Sequence, residues 1–120
     1  MLKTTQHTKR LLAAIGTAAV TLAVALPAQA ETMTVSCKNT KVPAERMVCD
    51  TPALAQIDRA HLAIYRNVAN KYRDKATVFG QVKQAEIAIR VKRNDCGPNA
   101  ACIRSAYASG DAQIRAYDKK

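Results

Sequence analysis

The 120-residue chain has no tryptophan, one phenylalanine, four tyrosines and four glycines, and its nine acidic residues face nineteen lysines and arginines. So few aromatics supply no stacking surface for single-stranded nucleic acid, although a charge of +10 would otherwise invite that reading. The scattered glycines build no phosphate-cradling loop. Histidine is equally scarce, with only His7 and His61 present. A metal centre wants short ligand pairs or added histidines, whereas the four cysteines are separated by eleven, forty-six and five residues. No metal site and no cofactor is therefore expected. His61 has no serine, cysteine or carboxylate constellation beside it in the sequence, so no catalytic residue is assigned and an enzyme is the least expected class. Strand patterns, internal repeats and low-complexity segments are missing too, which leaves an all-helical reading.

The chain begins with a targeting pattern. Lys3, Lys9 and Arg10 form a positive region, Leu11 to Leu26 is uncharged and mostly apolar, and Pro27 precedes the small-residue site Ala28-Gln29-Ala30. Residues 1–30 read as a signal peptide cleaved after Ala30, and 31–120 as the exported domain. The apolar run is at the short end of what crosses a bilayer, so no transmembrane segment is expected after cleavage. Removing residues 1–30 takes away three cations and no acid, leaving sixteen against nine, or +7. A periplasmic or secreted location lets an even number of cysteines pair, and Cys37, Cys49, Cys96 and Cys102 are all retained in the domain. Two bridges at about 2–4 kcal/mol each would be a large share of the stability of so small a core.

The stretch Lys92-Arg93-Asn94-Asp95-Cys96-Gly97-Pro98-Asn99 reads as a helix stop, a corner and a new start. Gly97 can close a helix in the left-handed conformation, Pro98 cannot continue one, and Asn99 can cap the next. Upstream, Pro43 and Pro52 read as first-turn prolines. A short helix through Cys49, with Met47 and Val48 facing inward, is followed by a longer one from Pro52 to about Lys75. Leu54, Ile57, His61, Ile64, Tyr65, Val68 and Tyr72 share one stripe of that helix. A third helix covers Thr77 to Asp95, with Val78, Val82, Ala85 and Ile89 as its seam and Ile87 and Val91 widening it. A fourth runs from Asn99 to about Tyr117, with Gly110 marking a kink or a close helix crossing. The expected fold is an all-α, disulfide-stapled helical bundle or hairpin of three long helices plus a short N-terminal helix. Arg90, Lys92 and Arg93 form the densest basic cluster of the domain and are the candidate partner contact.

Several motifs together resemble the LprI-type lysozyme-inhibitor family of small exported four-cysteine domains. They are Cys37, Val42-Pro43-Ala44-Glu45 leading to Cys49, Asp50-Thr51-Pro52-Ala53-Leu54-Ala55 and Ile57-Asp58-Arg59, then Ala63-Ile64-Tyr65, Arg93-Asn94-Asp95-Cys96-Gly97, Cys102-Ile103-Arg104 and Tyr107. The resemblance spans about Ser36 to Arg115. The chain departs from the family pattern at Ile89, where a tryptophan is common, at His61, where an apolar residue is common, and at Gly110-Asp111, where an Arg-Ile pair is usual. Those are packing positions.

The resemblance implies a protein-binding inhibitor of lysozyme or a related cell-wall hydrolase. A cation from Arg90, Lys92 or Arg93 could enter a cleft whose catalytic carboxylates attract it. Many lysozymes are themselves basic, so a +7 partner is repelled at long range unless salt or local complementarity offsets the field. Two other readings stand beside it: a basic envelope-associated module for anionic surface polymers, and an immunity protein against an incoming effector. Local pairing, Cys37 with Cys49 and Cys96 with Cys102, is expected over the two crossed alternatives. An antiparallel hairpin of the second and third helices can bring all four sulfurs to one pole, so crossed pairing stays geometrically open.

Overall fold

The computed structural model describes residues 32–119, so the signal-peptide reading of 1–30 lies outside the described residues. Four helices follow one another: α1 (Pro43–Asp50), α2 (Pro52–Lys71), α3 (Ala76–Asp95) and α4 (Ala100–Tyr117). No strand occurs among the described residues. Proline stands in the first turn of both α1 and α2, where its missing N–H costs nothing and its fixed φ suits the helix. Only Thr51 separates those two helices, in extended conformation (φ −114°, ψ 105°).

α2 ends at Lys71, earlier than the apolar periodicity suggests. Residues 72–74 turn the chain back, the Tyr72 carbonyl accepts the Lys75 N–H at 2.9 Å, and Tyr72 itself is buried. No glycine or proline marks this turn, so the periodic spacing runs straight through it. At the other corner the punctuation is explicit. Gly97 adopts φ 58°, a conformation that a Cβ disfavours, and the Asn99 side chain accepts the Cys102 N–H at 3.0 Å.

Both disulfides are local. Cys37 pairs with Cys49 and Cys96 with Cys102, at Cα separations of 5.7 and 5.5 Å. Cys49 and Cys96 pack against the same apolar cluster, so the two staples stand at one pole. That cluster gathers Val35, Ala44, Val48, Leu54, Ile103 and Tyr107. A second cluster, away from the staples, contains Val68, Ala69, Tyr72, Val82, Ala85, Ile89 and Ile114.

The α3 seam is narrower in apolar content than its sequence suggests. Val82, Ala85 and Ile89 are buried, but Ile87 and Val91 are each 54% exposed. Each stands two residues from a seam position, about 200° around the helix, and so points away from the core. The inner face is completed by Glu86 and Arg93 instead. α4 crosses α3 closely at Gly110: a Cβ there would lie 2.7 Å from Cγ2 of Ile89. The glycine serves a crossing, and α4 continues through it to Tyr117.

Candidate functional site

Helical spacing carries four charged or titratable residues into the interior. On α2, Asp58 and His61 lie on the buried stripe between Leu54 and Leu62; on α3, Glu86 and Arg93 share the face of Val82 and Ile89. Burying such groups is costly unless each finds a partner. Among the described residues no buried side-chain nitrogen or oxygen lacks a hydrogen-bond partner. The partners form two networks.

The first closes the stapled pole. Arg93 is only 1% exposed. Its Nη1 donates to the Tyr107 hydroxyl at 3.0 Å and to Thr34 Oγ1 at 2.5 Å, and lies 3.6 Å from Asp58 Oδ1. Nη2 donates to Glu45 Oε1 at 3.3 Å and to Asn94 Oδ1 at 2.9 Å. Asp58 accepts the Thr34 backbone N–H at 2.7 Å, and also the hydroxyls of Thr34 and Tyr107. The strap of residues 32–36 is thereby tied across α2 and α3. Burial first, and then the hydrogen bond to Asp58, hold the Tyr107 phenol well above its ordinary pKa, against the opposing pull of Arg93.

The second network is a line of alternating charge. His61 Nδ1 lies 2.6 Å from Asp111 Oδ1 on α4, and Nε2 lies 2.7 Å from Glu86 Oε2 on α3. A neutral imidazole has one N–H, so two ionised carboxylates are satisfied together only by the imidazolium. Burial works against that charge, but the hydrogen bonds to Glu86 and Asp111 and their negative charges outweigh it and raise the His61 pKa. For Glu86, burial pushes the pKa up while the bonds to His61 and Arg90 pull harder, and it is lowered. Arg90, four residues along α3, donates its Nε to Glu86 Oε1 at 2.8 Å. Tyr107 connects the two networks in space, its ring tilted against His61 with centroids 5.3 Å apart.

The basic cluster expected at the end of α3 is thus divided by the fold. Arg93 is a core residue and no surface contact: apart from its neighbour Asn94, its partners lie on α1, α2, α4 and the strap. Lys92 is exposed on the outer side. Arg90 lies between these extremes, its side chain 36% exposed, and lines a groove of about 580 Å3 whose other wall is residues 32–38. The cysteines form the two staples. Among the described residues no cluster of histidine, cysteine or carboxylates has the arrangement of a metal site, and no helix is long and apolar enough to cross a membrane.

Sequence reading missed Asp58 and Glu86 as members of the interior and the half-buried Asp111 beside them, and it found no carboxylates for His61. A signal for two of them was present: Asp58 is three residues before His61 on its stripe, and Glu86 lies between Val82 and Ile89. The four departures from the resembled family pattern also fall together as two contacts. His61 meets Asp111, and Ile89 lies over Gly110. No family model, curated protein or solved structure matches this chain.

Proposed function

We propose that the chain is an exported protein-binding inhibitor of a cell-wall hydrolase, with lysozyme the first enzyme to test. The observation that carries this reading is a pre-organised, internally paired frame whose remaining cations face outward. Two disulfides fix the strap and the corner at one pole, and disulfides suit an oxidising, exported setting. A frame held in one shape loses little entropy on docking, which favours tight binding to a protein surface. Lys38, Arg59, Lys83, Lys92 and Arg104 are among the exposed cations, and they suit an acidic cleft. His61 supports a structural role, since both its ring nitrogens are taken by carboxylates at 2.6 and 2.7 Å.

The test is inhibition by the oxidised mature protein of a basic and a less basic lysozyme over a range of salt. Stoichiometric inhibition is expected, stronger against the less basic enzyme than against the basic one, with the gap widest at low salt, where the long-range repulsion is least screened. Absence of inhibition at micromolar excess overturns the reading for those enzymes. Weak, strongly salt-dependent retention on anionic envelope polymer in its place would favour the polymer-binding alternative, to which the exposed cations spread over several helices lend support.

A further inference from the structure

Arg90 is held by one edge only. Its Nε is engaged by Glu86, whose other oxygen is engaged by His61, which is engaged in turn by Asp111. The line runs negative, positive, negative, positive across α4, α2 and α3, and Arg90 is its open end. Among the described residues Arg90 donates a hydrogen bond through Nε alone and none through its terminal nitrogens, and the side chain lines the groove formed with residues 32–38. The far wall of that groove is also fixed: Cys37 is stapled to Cys49, and Thr34 is bonded to Asp58 and Arg93. A guanidinium anchored through Nε presents its two remaining nitrogens as a planar fork, the arrangement that a carboxylate fills with two parallel hydrogen bonds.

We propose that this groove is a carboxylate-binding site, with Arg90 as its receptor, and that its natural occupant is an aspartate or glutamate side chain of the protein partner. The proposal deepens the inhibitor reading and rests on it for the identity of the occupant. A single carboxylate fits better than a polyanion, because among the described residues only Arg90 and Lys38 line the groove as cations, and a polyanion gains its affinity from a row of them. Met33 and Val35 add apolar surface to the wall, which suits the methylenes of an acidic side chain and offers nothing to a sulfate or phosphate chain.

The first experiment uses sodium acetate as the probe, at constant ionic strength, followed by the amide and arginine Nε resonances of the isotope-labelled oxidised protein, with inorganic phosphate as a parallel arm. Saturable acetate shifts confined to residues 32–38 and Arg90 are expected, weakened at least tenfold by Arg90→Gln and unchanged by Lys75→Gln, at an exposed lysine of the α2–α3 turn. Arg90→Lys is the second variant: it keeps the charge, lacks the fork, and is expected to lose the same tenfold. Non-saturating shifts, shifts equal in Arg90→Gln, or a phosphate response spread over the exposed lysines would each overturn the site. Lysozyme inhibition by the same proteins separates this proposal from the reading it rests on. Inhibition retained by Arg90→Gln overturns the partner-carboxylate site and leaves the inhibitor standing. Acetate held by a protein that inhibits neither lysozyme leaves the site standing and overturns the inhibitor reading for those enzymes.

Discussion

The two poles of this small bundle are held by different physics. Where α2 turns into α3, the cluster of Val68, Ala69, Tyr72, Val82, Ala85, Ile89 and Ile114 is apolar, with no disulfide in it. At the opposite pole a short helix, a strap and a corner must be held together, and there two disulfides and the Arg93 network supplement the apolar contacts of Val48, Leu54 and Ile103. Long helices bury enough side chains along one stripe to stay packed. An eight-residue helix and an extended strap do not, so cross-links and buried, paired charges take over. The difference also places the open groove, since the strap that forms its wall belongs to the cross-linked pole.

The largest effect should come from removing the charge at the centre of that pole. Arg93→Met leaves Asp58 buried without its cation and should cost about 3–5 kcal/mol in denaturant unfolding of the oxidised protein. A cost under about 1 kcal/mol would show that the network is a bystander to the disulfides. On the apolar side, Gly110→Ala drives a methyl into the β-branched Ile89, whose rotamer is restricted in a helix. Overpacking outweighs the helix propensity gained, for a net loss of about 1–2 kcal/mol. The same substitution made in an Ile89→Ala background should lose that penalty, because the methyl then has room. A double-mutant cycle reads the coupling directly.

Between the poles, the His61 line makes stability depend on pH from both sides. The His61 pKa is raised from 6.5, so its contribution is full below 6.5 and fades as pH climbs through the folded-state value. The Glu86 pKa is lowered from 4.5, so its contribution is full above 4.5 and fades as pH falls through the folded-state value. Both are intact between pH 4.5 and 6.5. Wild type should therefore unfold at its highest denaturant concentration in that window, and His61→Leu should remove the decline on the alkaline side. Smallest of all should be Lys71→Ala. Its pair with Asp118 is exposed on both sides, and its loss should leave the denaturant midpoint unchanged within error.

Much of the frame was legible in the sequence because its signals are local. Gly97 and Asn99 carry their own conformational and capping chemistry, Pro43 and Pro52 open their helices, and cysteines twelve and six apart in sequence pair with each other. Gly110 read equally as a kink or a close crossing, and the approach of Ile89 makes it a crossing. The interior charges were harder to read. Arg93 stands in a basic run at a helix end, where cations are ordinarily solvated and favoured by the dipole, and its partners Glu45, Asp58 and Thr34 are 48, 35 and 59 residues away. Its position four residues after Ile89 was the available clue, for it continues the seam that Ile87 and Val91 leave. Arg90 differs from Arg93 by three residues, less than one helical turn, and that rotation separates a core cation from one that reaches the groove.

The most direct test of the two-pole account is residue-resolved hydrogen exchange at pH 5.5, comparing the oxidised protein with the protein after both disulfides are reduced. The account predicts that reduction strips protection from α1 and the 96–102 corner while amides of α2, α3 and α4 around Val68, Val82 and Ile114 stay protected. A loss of protection uniform over all four helices would contradict it, because the apolar pole would then depend on the staples as much as the strap does.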